Sequence, residues 1–293
     1  MKASLLCTHV AALALAAGMF CSAYLGAQTV TDPAPYGAVT SSPATLSVTL
    51  PPPCTPAPSG LIGWWRAETN TLDSYDNQNG LVPYPYTMKY TPGKVGAAFS
   101  VNAQAYVVVP DSPALRVTNA FCIEAWVNPS ASTSPGTIAA KVENQGIQLP
   151  LRPATNSSFY LGITNSGILR LSVTPNGSLS VATTLQSPAP IPAGQWSFVV
   201  AAYDGASLQL YVNAVLVAQT NYSAGIFPGT ADLGLGAIPS LIQEQPVGSL
   251  AWLGALDEIS LYRRALMPDE IQAVYNAGVS GKCLIPPTIT LQP

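Results

Sequence analysis

The sequence predicts an all-β fold, either a sandwich or a barrel, with one short helix near the C-terminal end. Charged residues make up only 9% of the 293 residues, whereas Pro and Gly number 28 and 23. Such a composition is unlike that of a helical bundle or of a charged disordered chain. From Leu61 onward, short apolar runs alternate with turn residues, which is typical of sandwiches and barrels. Start and stop signals of a helix occur together in only one segment.

Two hairpins are predicted from apolar residues that recur at every second position. The first joins segments 159–163 and 169–173 around an Asn-Ser-Gly turn. The second joins segments 196–202 and 208–212 around an Asp-Gly turn. Alternation of this kind places successive side chains on opposite faces of a strand, so each hairpin should turn one face toward the core.

The predicted helix begins at Pro268 and ends before Gly278. Proline is favoured at the first helical position, and Asp269 and Glu270 then lie in the first turn, where negative charge suits the helix dipole. Three apolar residues share one face of this helix: Ile271, Val274 and Tyr275. Such a short helix is expected to cap a β domain.

Residues 1–27 have the pattern of a signal peptide, with a positive start, an apolar stretch and small residues up to Ala27. The alternative is a membrane anchor, but polar residues interrupt the stretch. Residues 28–59 are rich in Pro, Ser and Thr and are predicted to be a linker. We therefore expect a secreted or cell-surface protein without a transmembrane segment after cleavage.

Composition excludes several classes of function. The single histidine, His9, lies in the predicted signal peptide, so the mature chain would contain no imidazole for catalysis or metal binding. The net charge is −3, and the longest run of basic residues is the pair Arg263 and Arg264. A nucleic-acid interface is therefore not expected.

Removal of residues 1–27 leaves three cysteines, of which two can pair in an oxidising compartment. Cys122 lies in an alternating run that is predicted to be a buried strand, where a free thiol acts as a small apolar group. Cys54 and Cys283 instead flank the patterned region. We therefore predict a disulfide between Cys54 and Cys283.

A series of motifs resembles a known family. The motifs are GLIGWW at 60–65, TPGKVGAAF at 91–99, YVVVPDSPAL at 106–115, FCIEAWVNP at 121–129, QWSFVVAAYDG at 195–205, LQLYVNAVLVA at 208–218 and GALDEISLYRRALMPDEIQAVYNAG at 254–278. In this order they resemble the bacterial LamG-like jellyroll domain, which has the concanavalin A-like lectin/glucanase fold. The resemblance covers Ser59–Cys283 and implies a two-sheet antiparallel jelly-roll sandwich over 60–283, with the short helix after the last core strand.

Three further expectations concern the tail, one hairpin turn and the tryptophans of the first strand. The tail, residues 284–293, resembles the start of an immunoglobulin-like module. Relatives usually turn the hairpin after YVN with Gly, whereas this chain has Asn213 and Ala214, so a different turn type is open here. Trp64 and Trp65 begin the first strand, and we expect at least one in the core and the other at a rim or on a face.

A catalytic function would have to rest on carboxylates. Glucanases of this fold carry two Glu flanking an Asp on one strand, and this sequence has no such pattern. Asp257 and Glu258 are adjacent and are expected on opposite faces of a strand. We therefore expect no enzyme activity; the alternative is a carboxylate-dependent glycan-processing enzyme that uses Glu124 or Glu68.

Calcium is the one cofactor that the sequence suggests. Asp73, Asp76, Asn77 and Asn79 offer oxygen ligands within seven residues, and relatives use acidic residues near the domain ends, which makes Asp73 and Asp257 the candidate pair. The alternative is ordinary turn chemistry, for which Asp and Asn are equally suited.

The candidate ligand-binding residues are Tyr84, Tyr86 and Tyr90, in a Pro-rich segment. Exposed tyrosine rings can stack on sugar faces; alternatively, the loop packs its own aromatic rings. We expect a non-catalytic recognition or adhesion module that binds glycan or an extracellular protein partner, as part of a larger surface or secreted protein. A structural spacer without ligand is the further alternative.

Overall fold

The computed structural model describes residues 54–131, 134–143, 156–239 and 250–283. The predicted signal peptide, most of the predicted linker and the C-terminal tail lie outside the described residues. The described residues form two antiparallel sheets and one α-helix, so the predicted all-β jelly-roll sandwich is confirmed. Among them, no helix combines the length and the apolar character needed to cross a membrane.

Fourteen strands are described. They are β1 (Leu61–Trp65), β2 (Lys89–Pro92), β3 (Ala97–Val101), β4 (Val107–Val109), β5 (Phe121–Pro129), β6 (Gly136–Lys141), β7 (Phe159–Ile163), β8 (Ile168–Val173), β9 (Thr183–Pro190), β10 (Ser197–Tyr203), β11 (Ser207–Val212), β12 (Val215–Asn221), β13 (Leu233–Leu235) and β14 (Gly254–Tyr262). The helix α1 spans Pro268–Ala277.

The strands are divided between a large and a small sheet. The large sheet has the order β12-β11-β10-β5-β14-β3-β2, and β1 also pairs with β14. The small sheet has the order β4-β13-β6-β7-β8-β9. Since β5, β10 and β14 are central in the large sheet, their two faces are both covered, and almost every residue in them is buried.

The main core lies between the two sheets. Phe121 of β5 stacks on Phe159 of β7 with ring centroids 5.3 Å apart, so the sheets are in direct contact. Trp65 is fully buried in the same core. Each large apolar side chain removed from water in this way stabilises the fold by about 1.5–3 kcal/mol.

A second apolar cluster, the outer cluster, lies on the other face of the large sheet beneath helix α1. Trp126 and Phe198 belong to it, and Tyr275 of the helix stacks on Trp126 at 5.7 Å. The helix begins at Pro268 as predicted, and the side chain of Glu270 accepts a hydrogen bond from the Met267 amide at 2.8 Å. Gly278 follows the helix with φ 54°, a backbone conformation that glycine adopts without strain.

Both predicted hairpins are present, as β7–β8 and β10–β11. The hairpin β11–β12 turns through Asn213 and Ala214, whose φ values are 51° and 63°. Two consecutive positive φ values define the tight hairpin turn that matches strand twist. The chain therefore adopts this turn although an alanine occupies a position that favours glycine.

The predicted disulfide is also present. Cys54 and Cys283 are bonded with their Cα atoms 4.9 Å apart, across a sequence separation of 229. Thr55 lies beside Lys282: the Thr55 amide donates to Gly281 at 3.0 Å, and the Cys283 amide donates to Thr55 at 2.7 Å. The end of the predicted linker is thus attached to the domain, while Cys122 is a free, buried thiol.

Candidate functional site

The connection between β1 and β2 closes one open side of the sandwich. Leu81 pairs with Val108 of β4, the edge strand of the small sheet, through two backbone hydrogen bonds of 2.8 Å. The chain then continues into β2, an edge strand of the large sheet. This connection therefore joins the edges of the two sheets and presents its outer side chains to solvent.

Exposed apolar side chains are concentrated in this connection. Four of the twelve exposed large hydrophobic residues in the described part of the chain lie between positions 72 and 84, and we call these four the exposed strip: Leu72, Tyr75, Leu81 and Tyr84. Tyr84 is 90% exposed, more than any other residue of this set. Concentrated exposed apolar groups are typical of binding surfaces.

The three tyrosines that the sequence suggested as ligand contacts have different environments. Tyr84 is open to solvent, and Tyr86 is half-buried in a turn in which its amide donates to Pro83 at 3.0 Å. Tyr90 instead packs on Phe99 with ring centroids 6.0 Å apart, and burial raises the pKa of its hydroxyl. The structure therefore makes Tyr90 a packing residue and leaves Tyr84 as the accessible ring.

Asp73 organises the loop that carries Leu72 and Tyr75. Its Oδ1 accepts hydrogen bonds from the amides of Trp64 (2.7 Å) and Tyr75 (2.9 Å). Its Oδ2 accepts hydrogen bonds from Asp76 and Gln78, both at 2.9 Å. Because four N–H dipoles already point at this carboxylate, a cation would have to displace them to bind there. This is the turn chemistry that the sequence offered as the alternative to calcium.

Asp257, the other candidate calcium ligand, lies on the outer face of the large sheet. It is fully buried, and its Oδ2 accepts a hydrogen bond from the Val95 amide at 2.9 Å. Burial raises the pKa of Asp257 to about 8, and the charge of Glu258 acts in the same direction. Burial disfavours the charged carboxylate that a hard cation prefers as a ligand.

The structure describes no contact between Asp73 and Asp257. Within residues 54–131, 134–143, 156–239 and 250–283, no three His, Cys, Asp or Glu side chains form a group that could hold a metal ion. Calcium binding by this pair stays a prediction.

The expectation that Asp257 and Glu258 lie on opposite faces is wrong. The register of β14 against β5 shifts between Asp257 and Ser260, and Glu258 has a φ of 53°. This bulge inserts one residue into the alternation. Asp257 is therefore opposite Trp126 and Glu258 bonds to Trp64, and both of these tryptophans belong to the outer cluster.

A cluster of buried charges results, which the sequence did not predict. We call Glu124, Glu258 and Lys282 the buried ion cluster. Lys282 Nζ donates to Glu124 Oε1 at 2.8 Å and lies 3.6 Å from Glu258 Oε2. Tyr262 donates to Glu124 Oε1 at 2.7 Å, and the Trp64 indole donates to Glu258 Oε2 at 2.9 Å.

Burial and charge pairing together shift the pKa values of this cluster. Burial raises the pKa of Glu258, although Lys282 and Arg66 partly oppose the shift. The pKa of Lys282 is raised because the attraction of Glu124 and Glu258 outweighs the effect of desolvation. Lys282 also lies 4.9 Å from the centroid of the Trp64 ring. The only sequence signal for this arrangement is a lysine next to a disulfide cysteine.

The cluster holds the C-terminal end of the domain on the sheet. All three members are at most 5% exposed, so substrate cannot reach Glu124 without rearrangement of the chain. Glu68, the other candidate acid, accepts a hydrogen bond from the Ala97 amide at 3.3 Å and lies 3.6 Å from Arg66. Both carboxylates therefore have structural partners.

Comparison with known families identifies the domain. Residues 101–272, more than half of the chain, match the laminin G family model described as "Concanavalin A-like lectin/glucanases superfamily". The chain belongs to the concanavalin A-like lectin/glucanases superfamily. This confirms the family that the sequence motifs resemble, and no match was found among curated proteins.

Solved structures show the same concanavalin A-like fold. Domain 4 of AbnA, a GH43 extracellular arabinanase from Geobacillus stearothermophilus solved with arabinotriose, is 21% identical with a TM-score of 0.55, over 72% of this chain and 96% of that chain. The binding domain of Paraclostridial Mosquitocidal Protein 1 is 14% identical with a TM-score of 0.56, over 74% of this chain. The binding domain of botulinum neurotoxin serotype C1 is 16% identical with a TM-score of 0.55, also over 74%. This concanavalin A-like chain spans about half of each toxin structure, 52% in both cases.

Proposed function

We propose that this domain is a non-catalytic glycan-binding module of an exported protein, and that Tyr84 is its principal contact. The observation that carries the proposal is the 90% exposure of the Tyr84 ring within the exposed strip. A flat aromatic ring with a polar hydroxyl can stack on the apolar face of a sugar and hydrogen-bond at its rim. Leu81 and Tyr75, exposed apolar side chains of the same connection, are proposed as further contacts for a longer glycan.

The relatives support a glycan as the ligand. The arabinanase domain was solved with arabinotriose. Another structure of this fold, 15% identical with a TM-score of 0.54, concerns the dependence of cell entry by botulinum neurotoxin type C on two ganglioside molecules. These proteins resemble the chain only in fold, so they support a glycan only as a class of ligand. Tyr84 is proposed as the contact because of its own exposure.

The surroundings of the acidic residues favour binding over catalysis. Glycoside hydrolysis needs two carboxyl groups that flank the bond to be cleaved. Glu124 is buried against Lys282 and Tyr262, and Glu68 bonds to the backbone of Ala97. Both acids are held by structural partners, which supports a non-catalytic role.

The test is a glycan array and polysaccharide pull-down with the full chain and three variants. Tyr84→Ala should weaken binding about tenfold, since loss of one stacked ring removes roughly 1.4 kcal/mol. Tyr84→Trp should retain binding because it keeps an aromatic face. Val215→Ala, which trims an exposed apolar residue on β12, is the matched control and should have no effect.

Two further measurements separate the alternatives. Release of reducing sugar from a bound glycan would contradict the non-catalytic role. Loss of binding in EDTA, with recovery in calcium, would support the calcium prediction. Absence of any bound glycan would contradict the proposed function and favour a protein partner or a spacer. Equal binding by Tyr84→Ala and the unmodified chain would contradict only the role of Tyr84.

A further inference from the structure

A second surface feature lies where β5 begins and β14 ends. It is a cleft of about 260 Å³, lined by the segment 113–120 before β5 and by Arg263 directly after β14. This volume is enough for several waters, each of which occupies roughly 30 Å³. It is slightly smaller than the roughly 300 Å³ at which pockets for drug-sized ligands begin. This volume suits a single sugar ring.

The charged side chains that line the cleft are both arginines. Arg116 is held by Asp111: its Nε donates to Asp111 Oδ2 at 3.0 Å, and its Nη2 donates to the same oxygen. Asp111 also accepts a hydrogen bond from the buried Lys141. Burial tends to raise the pKa of Asp111, but the bonds from Arg116 and Lys141 outweigh it and lower the pKa. Arg116 is therefore fixed in place with Nη1 uncommitted among the described residues.

Arg263 is exposed and carries no hydrogen bond or ion pair from its guanidinium to any described residue. Its backbone is fixed, because its amide donates to Gly60 at 2.8 Å. Thr118 and Asn119 add a hydroxyl and an amide whose hydrogen-bonding groups also have no described side-chain partner. The backbone of Thr118 is fixed by a bond from the Ile226 amide at 2.9 Å.

This arrangement combines uncommitted cationic donors, neutral polar groups and an apolar floor that includes Pro113 and Val117. Guanidinium groups bind planar carboxylates through paired N–H bonds. We propose that the cleft binds a sugar that carries a carboxylate, of the uronic acid class, with Arg263 as the principal contact. The need for an anion follows from the arginines, whereas the choice of a sugar rests on the proposed glycan-binding function.

The test is a calorimetric or NMR titration of the full chain with D-glucuronate, D-glucose and inorganic sulfate. D-Glucuronate should bind at least tenfold more tightly than D-glucose. Arg263→Gln should weaken D-glucuronate binding about tenfold, as expected for loss of a charge-assisted contact. Lys89→Gln removes the same charge from an exposed position on edge strand β2 and should change the affinity less than twofold. Both positions are exposed, so both variants should fold.

Several outcomes would overturn the proposal: equal affinity for D-glucuronate and D-glucose, equal effects of the two charge variants, or sulfate affinity equal to that of D-glucuronate. The last would indicate a simple anion site. Tyr84→Ala should leave D-glucuronate binding unchanged while it weakens glycan binding on the array about tenfold. If D-glucuronate binds to the cleft but no glycan binds through Tyr84, the proposed function is contradicted. The proposal for the cleft is not.

Discussion

Lys282 donates a 2.8 Å hydrogen bond to Glu124 although the two residues are 158 positions apart, and both side chains are buried. Lys282 precedes Cys283, whose disulfide joins it to Cys54. The ion pair thus attaches the C-terminal end of the domain to the outer face of the large sheet, and the disulfide at the adjacent residue joins the same end to the segment before β1.

Lys282→Met should lower the free energy of unfolding by about 3–5 kcal/mol, because it leaves Glu124 buried without its cation and leaves Glu258 paired with Arg66 at 3.6 Å. Chemical denaturation is the measurement. Adding Glu124→Gln to Lys282→Met should recover part of the loss, since the amide removes the uncompensated charge. A loss below about 1 kcal/mol for Lys282→Met would mean that the buried ion cluster contributes little to stability.

Replacing Cys54 and Cys283 with Ser should lower the free energy of unfolding by about 2–5 kcal/mol. The long separation of 229 residues favours the upper end of this range in the chain-entropy model. Dithiothreitol should destabilise the unmodified protein and a Cys122→Ala variant, and should have no effect on the double Ser variant. An effect of the reductant on the double Ser variant would show that another disulfide contributes.

Stability should fall as the pH rises from about 4 to about 8. The pKa of Asp257 is about 8 in the folded chain, whereas an unfolded carboxyl group titrates near pH 3.9. Between these values the folded state retains a proton that the unfolded state has lost, so rising pH favours unfolding by at most about 1.4 kcal/mol per pH unit. The raised pKa of Glu258 acts in the same direction.

Asp257→Asn is the matched test of this pH dependence. The Asn carbonyl can still accept the hydrogen bond from the Val95 amide, but the side chain no longer titrates. Denaturation between pH 5 and pH 8 should therefore show a smaller slope for the variant. An unchanged slope would assign the pH dependence to other groups.

Ala214→Gly should raise the free energy of unfolding by about 0.5–1 kcal/mol. Ala214 has a φ of 63°, which is costly for a residue with a Cβ atom, and glycine removes that cost while adding a smaller entropic one. The denaturation midpoint is the measurement. Ala214→Val should destabilise because a β-branched side chain is less compatible with this backbone; equal midpoints for all three would indicate that the turn is unstrained.

Local patterns were sufficient to predict the secondary structure of several segments. The alternation in β7, β8, β10 and β11 predicted the hairpins because a strand that contributes to a core must alternate its side chains. The helix from Pro268 was predicted because its start and stop signals lie within the helix itself. The disulfide was predicted from the positions of Cys54 and Cys283 at the ends of the patterned region.

The arrangement of the candidate sites could be predicted only in part. Tyr84 and Tyr90 belong to one aromatic segment, yet one ring is exposed and the other packs on Phe99, because strand β2 begins between them. Asp257 and Glu258 share a face because a bulge in β14 shifts the alternation. A bulge of this kind depends on pairing with a distant strand, which no local pattern of the sequence records.

The sequence by itself determined the all-β sandwich, the hairpins, the helix and the family, since each depends on short-range periodicity or on ordered motifs. Only the tertiary structure decided which charges meet in the buried ion cluster and that Arg116 and Arg263 line one cleft. Glu124 lies 134 positions from Glu258 and 158 from Lys282, and Arg116 lies 147 positions from Arg263. Their proximity is a consequence of strand order and register, which are set when the two sheets pack and bury their apolar faces.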